Sequence, residues 1–237
     1  MEKINLRIKM KSNIAINSYL RQQQSRFGNE LYISKQDTKD SGESIPYNKL
    51  VSEEDLEKYR ISICLCKECG LGETRNNFVF GVGDPNAELM LVGEAPGKEE
   101  DLKGEPFVGR AGKLLDNILK AINKKRGNGV YIANVLKCRP PNNRDPLPSE
   151  VKKCEPYLLK QLSIVNPKLI VALGRVAGKT LLKMDVPLKE MRGKIHDYNG
   201  TPLIVTYHPA ALLRNSNFKK PAWDDFQWIR DQLIKYQ

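Results

Sequence analysis

Two groups of residues in this chain have the types and spacing for chemistry. The first lies in LMLVGEAPGKEED, Leu89 to Asp101. An apolar run ends at Val92 and reads as a buried strand, and Gly93, Pro96 and Gly97 then punctuate a turn. That turn carries Glu94 and leads into Glu99, Glu100 and Asp101, although the chain as a whole is basic, with 39 Lys and Arg against 28 Asp and Glu. A helix N-terminus favours acids through its dipole, which is the ordinary reading. A reactive or binding site at the end of a buried strand is the other. The second group is the five cysteines. Cys66 and Cys69 form a C-x-x-C, which lets two thiolates reach one metal from a single turn. Cys138 follows an apolar run and Cys154 lies in the next helical pattern, so four thiolates can converge. Zinc and an iron-sulfur cluster both accept four cysteines, and buried reduced thiols are the third reading. Cys64 is the odd one, expected as a packed thiol.

These residues need elements to position them. Four apolar runs recur, ELMLVG (88–93), VYIANV (130–135), KLIVALG (168–174) and PLIVTYH (202–208). Each is short and aliphatic or β-branched, as central strands of a parallel sheet are. Helical patterns lie between them, including 111–125 and 149–165. This alternation predicts an α/β fold, a three-layer α/β/α sandwich around a central four-stranded, mainly parallel sheet. Ligands bind such sheets outside the carboxyl ends of the strands. Gly93, Asn134, Gly174 and His208 stand at or near those ends. In LIVALGRVAGKTLL the order strand, turn, Gly-Lys-Thr suggests a phosphate loop, but only three residues separate Gly174 from Gly178 where that loop requires four. A plain strand-to-helix turn is expected instead.

The totals bound the rest. A chain of 237 residues with 40% hydrophobic content suits one domain plus an extension. Residues 1–50 read as that extension, a basic helix over 13–27 followed by a polar linker, and 51–237 as the folded domain. A hydroxyl at Ser52 followed by an acid at Asp55 predicts a helix start there. The net charge of +11 favours an anionic partner such as nucleic acid. No run approaches the about 18 to 20 apolar residues of a membrane helix, and the first residues lack the apolar core of a secretory signal. A cytosolic protein without membrane contact is expected.

Taken together, CKECGLGETR (66–75), VGEAPGKEEDLKGEPFVGRAGKLLD (92–116), VYIANVLKCRPPNNRDPLPSE (130–150), Cys154 and TYHPAALLR (206–214) resemble the family-4, iron-sulfur uracil-DNA glycosylases of bacteria and archaea. The likeness spans roughly residues 60 to 235, and several long motifs in the family's order are far more specific than one C-x-x-C. It implies a 4Fe-4S cluster held by Cys66, Cys69, Cys138 and Cys154 in a structural role. It also implies hydrolysis of the N-glycosidic bond of uracil in DNA, in the cytosol or nucleoid.

Such a site must extrude the base, hold it, read its edge and stabilise the leaving group. Phe107 is the candidate stacking face, worth about 1 to 3 kcal/mol per base. Asn134 carries a donor and an acceptor that match uracil at N3 and O4 and mismatch cytosine. The resemblance gives His208 the task of donating to uracil O2 as negative charge develops; His196 is expected to be structural. Glu94 is the first candidate to stabilise the oxocarbenium-like sugar or orient water, with Glu100 second. Gly93 and Ala95 flank it against the base, and Asp101 is a candidate for refusing the thymine methyl. DNA contacts are expected from Arg139 and Arg144 as a backbone clamp, Leu212 or Leu213 as a wedge, and Arg214 on phosphate or the opposite strand. The substrate is uracil-containing DNA, single- or double-stranded, and a monomer is expected. The extension is either a basic DNA-binding arm (Lys9, Lys11, Arg21, Arg26) or a docking helix for a repair or replication partner. A related group traps uracil covalently through a His-bearing insert; KCRPPNNRDP has no His, so turnover is expected.

Overall fold

The structure, a computed structural model, describes residues 2–5, 30–33 and 53–236. The chain divides into two compact units, Met1–Lys49 and Leu50–Gln237. In the first, β1 (Glu2–Asn5) and β2 (Glu30–Ile33) pair antiparallel, with Glu2 opposite Ile33. No strand was expected there. The expected helix over 13–27, the four basic residues of the expected arm (Lys9, Lys11, Arg21, Arg26) and Ser52 lie outside the described residues.

The second unit is built on a six-stranded sheet of β3 (Val82–Gly83), β4 (Leu89–Gly93), β5 (Val130–Asn134), β6 (Leu169–Leu173), β7 (Ile195–Tyr198) and β8 (Thr201–Thr206), in the order β3-β5-β4-β6-β8-β7. The inner four are parallel and are the four apolar runs of the sequence. The two edges are antiparallel additions, so the sheet has six strands where four were expected. The reason is burial. Every residue of β4, β5 and β6 is buried, whereas β3 has two half-buried residues and β7 is the mostly exposed IHDY, so neither edge shows an apolar run.

Helices α1 (Glu53–Ile63), α2 (Leu71–Thr74), α3 (Lys98–Lys103), α4 (Arg110–Ala121), α5 (Pro148–Val165), α6 (Arg175–Leu182), α7 (Leu188–Met191), α8 (Pro209–Arg214) and α9 (Lys219–Lys235) complete the unit. Strand periodicity sends alternate side chains into two cores. Met90, Val92, Ala133, Ile170 and Val205 pack with Leu158 of α5 and Leu181 of α6. Leu89, Leu91, Ile132, Val171 and Ile204 pack with Leu115 and Leu119 of α4 and Phe226 and Ile229 of α9. Two cores on one sheet make the three layers. The helix expected over 111–125 stops at Ala121, because Asn123 turns left-handed at φ 58°.

Register levels the strand ends. Gly93 pairs with Asn134, Val92 with Ala172, and Leu173 with Thr206, which brings Gly93, Asn134, Gly174 and His208 to one edge of the sheet. The last of these ends is tied down by Arg192, whose Nε and Nη2 bond Asp225 at 2.8 and 2.9 Å while Nη1 donates to the Tyr207 hydroxyl at 3.1 Å. Thr206 Oγ1 donates to the same Asp225, and Tyr207 stacks on Phe218 with ring centroids 4.7 Å apart. His208 therefore follows a strand end whose last two side chains are both fixed.

Candidate active site and cysteine centre

At position 93 the backbone must be bare. A Cβ there would lie 2.3 Å from Asn134 Oδ1 and 2.7 Å from Phe107 Cζ, so the amide and the ring close over the glycine. Asn134 and Phe107 are both buried. The Phe107 ring stacks on His208 with centroids 5.4 Å apart and planes at 29°. Gly174, at φ 94°, also meets His208, where a Cβ would lie 3.0 Å from the His208 Cβ. Residues from four strand ends and one loop thus converge.

Phe107 adopts φ 54°, a conformation that bulky side chains rarely enter and that costs about 1 to 3 kcal/mol. Its surroundings impose it. Glu100 Oε1 accepts from the amides of Val108 and Gly109, each at 3.0 Å. Gly112 on α4 lets the Phe107 carbonyl come so near that a Cβ would lie 1.7 Å from it. Glu100 Oε1 therefore holds the turn that carries the ring.

His208 is the N-cap of α8, and its Nδ1 accepts from the Ala210 amide at 3.1 Å. In the neutral ring the one proton must then sit on Nε2. Burial pulls the pKa down to about 4, with Arg214 acting the same way and Glu100 opposing. His208 is thus a neutral donor at pH 7. Glu94 moves the other way, pushed up to about 7 by burial and by Asp145, with Arg175 opposing. Arg175, the first residue of α6, belongs to the turn that sequence reasoning set aside as a failed phosphate loop. The missed signal was its place at the end of the third parallel strand.

Other expected residues fall elsewhere. Asp101 turns inward: its Oδ1 accepts from the Asn76 amide at 2.9 Å and its Oδ2 from the Asn76 side chain, so it anchors the loop after α2 and does not face a base. The Ala95 methyl packs on the cysteine core, which leaves only its backbone for a ligand. Arg144 is bidentate to Glu150 at 2.9 and 2.6 Å, and that bond with the Leu147 amide holds the Glu150 carboxyl below its ordinary range. This pair staples the loop to α5, while Arg139 in the same loop donates from Nε to Asn143 Oδ1 at 2.7 Å. Leu212 is 3% exposed and belongs to the interior, whereas Leu213 is 42% exposed and Arg214 beside it is exposed. His196, on an edge strand, donates from Nε2 to the Met191 carbonyl, 2.7 Å away.

Cys66, Cys69, Cys138 and Cys154 line one small cavity together with Gly72, Phe78 and Tyr157. Donors already point at their sulfurs. Arg75 Nη1 lies 3.2 Å from Cys138 Sγ, the Tyr157 hydroxyl 3.1 Å from Cys66 Sγ, and the Lys137 amide 3.3 Å from Cys154 Sγ. Burial raises the thiol of Cys138 and takes that of Cys154 up to about 11. Among the described residues no three His, Cys, Asp or Glu side chains stand as they would around a single ion. Four cysteine thiols around one cavity, with hydrogen-bond donors at three of their sulfurs, are a donor set that fits a thiolate-held metal centre. Cys64 is not among the lining residues, and its Sγ contacts the Ile61 carbonyl.

The uracil DNA glycosylase superfamily model matches residues 80–227. The type-4 uracil-DNA glycosylase of Archaeoglobus fulgidus is 44% identical over 192 residues, 78% of this chain and 96% of that one. That of Sulfurisphaera tokodaii is 47% identical over 76% of this chain and 86% of its own. The type-4 enzyme of Thermotoga maritima is 46% identical over 63% and 79%. The sheet carries Glu94, Asn134 and His208 at the ends of its parallel strands with the Phe107 ring brought over them by a loop, and the chain belongs to the uracil DNA glycosylase superfamily. Its likeness to the type-4 members extends over most of its length.

The ring state of His208 is directly measurable. Nitrogen-15 shifts are expected to show protonated Nε2 and bare Nδ1 at pH 7, with the ring still neutral well below the ordinary histidine pKa. An imidazolium at pH 6 contradicts this geometry.

Proposed function

We propose that the protein is a monofunctional uracil-DNA glycosylase that takes an extruded uracil into the pocket at Gly93 and hydrolyses its N-glycosidic bond. The convergence of Asn134, Phe107, His208 and Glu94 on one edge of the sheet carries this reading. Phe107 supplies the stacking face. The Asn134 amide offers its NH2 to O4 and its oxygen to N3–H, and cytosine would oppose both with like groups. As the bond breaks, electrons flow to the ring and O2 gains charge. Nε2–H of a neutral His208 donates there, without the cost of neutralising an imidazolium in a buried site. Glu94 in its ionised form stabilises the sugar cation or orients the attacking water. Water adds to the anomeric carbon, uracil leaves, and an abasic site remains.

The partner is DNA of either strand state. Arg139 and Arg214 suit phosphate, and exposed Leu213 suits the gap left by the departing base. Such contacts are independent of sequence, so affinity falls with added salt.

The cysteine centre supports a 4Fe-4S cluster on Cys66, Cys69, Cys138 and Cys154. The cluster would supply cross-linking of the segment between α1 and α2, the chain after β5 and α5. None of the steps above runs through it. Arg75, Tyr157 and the Lys137 amide would hydrogen-bond its ligand sulfurs.

The function is tested with an end-labelled oligonucleotide bearing one uracil, incubated in EDTA and then treated with alkali. Cleavage at uracil only after alkali, and none in a thymine control, is expected. His208→Ala is expected to lose on the order of 10²- to 10³-fold in rate, the usual effect of removing one charge-stabilising donor. Absence of cleavage by fully loaded protein contradicts the proposal, and a heat-stable protein–DNA adduct contradicts turnover. The cofactor has its own test. Brown protein absorbing near roughly 400 nm and carrying about four irons is expected; colourless protein that holds zinc contradicts it.

A further inference from the structure

Arg126 lies outside every motif that pointed to the site, in the turn after α4 where Lys125 bridges Asn128. Its guanidinium nevertheless reaches the stacking residue. Nη1 donates to the Pro106 carbonyl and Nη2 to the Phe107 carbonyl, both at 2.8 Å. Asp116 on α4 accepts from Nε at 3.2 Å and from Nη2 at 3.1 Å, which fixes the plane of the fork. On the far side of the same turn Glu100 accepts from the amides of Val108 and Gly109. Carbonyls 106 and 107 are thus gripped by a cation and amides 108 and 109 by an anion, with the left-handed Phe107 between them.

A residue in that conformation relaxes to negative φ when its surroundings release it. Relaxation at Phe107 would swing the ring away from His208 and off the Gly93 backbone. Lysine could not replace Arg126, because a single ammonium does not span two successive carbonyls as a planar fork does.

We propose that Arg126, oriented by Asp116, is a positioning residue for base recognition, holding Phe107 in its stacking pose. This rests on the reading that Phe107 stacks the base. It assigns no contact between Arg126 and substrate.

The test is a double-mutant cycle on cluster-loaded protein: wild type, Phe107→Ala, Arg126→Gln and the double variant. Single-turnover rates and substrate affinity are measured on the uracil oligonucleotide, with inhibition by free uracil as a second readout. Arg126→Gln is expected to lose about ten-fold or more in rate over affinity, the scale of a modest misplacement, and to weaken inhibition by uracil. In the Phe107→Ala background the same change is expected to alter the rate by less than about two-fold, since the residue it acts through is gone. Arg126→Lys is expected not to restore the loss. Asp116→Asn, which leaves the guanidinium in place, is expected to show a smaller loss in the same direction, and it carries the test if Arg126→Gln does not fold. Wild-type behaviour of both Arg126→Gln and Asp116→Asn overturns the proposal, as does an equal loss in both Phe107 backgrounds. Wild-type rates for Phe107→Ala would instead remove the stacking reading, and the proposal with it.

Discussion

Where a side chain on Gly93 would stand, the Asn134 amide oxygen and the edge of the Phe107 ring leave no room for a single added carbon. The residues proposed to read the base are all referred to that bare stretch of chain. It exists because β4 and β5 run parallel and in register to their last residues, so that Gly93 and Asn134 are paired partners. The ring arrives from outside the sheet and must be forced over the glycine by a left-handed turn. A rigid sheet supplies the reading edge, and a held loop supplies the face, which is the preorganisation that base recognition in a pocket demands.

One physical cause, burial, tunes the two ionisable groups in opposite directions. It disfavours charge, so it lifts the Glu94 carboxyl and lowers the His208 imidazole. For His208 the outcome suits the task, because a neutral Nε2–H donor is needed and Nδ1 is already committed to the Ala210 amide. For Glu94 the same effect makes ionisation harder, and Arg175 offsets part of it. Each group is thereby matched to a role near neutral pH, the pattern expected where two titratable groups divide acid and base work.

Much of this was legible in the chain, for definite reasons. Central strands are buried on both faces and leave continuous apolar runs, so all four could be read, whereas the edges β3 and β7 carry half-exposed or polar residues that leave none. Glycines, an Asn and a His at strand ends could be found from the topology alone. Side-chain direction could not. Asp101 and Glu100 are neighbours on α3, yet one holds the loop at Asn76 and the other the turn at Phe107, a difference set by which face of the helix packs on which loop. Arg144 and Arg139 share one loop, and only the fold shows that the first is neutralised by Glu150. Arg126 lay outside every motif, and Arg175 lay in a turn whose spacing fits no phosphate loop.

The central claim is that an ionised Glu94 and a neutral His208 act together on the glycosidic bond, and the pH dependence of single-turnover uracil release tests it most directly. With the Glu94 carboxyl raised to about 7 and needed as carboxylate, the account expects the rate to fall as pH drops below that value and to level off above it. His208, neutral down to about 4, adds no limb in between. Glu94→Gln should flatten the rise. A profile in Glu94→Gln identical to wild type, or a rate that declines as pH rises through the ordinary histidine range, would contradict the account.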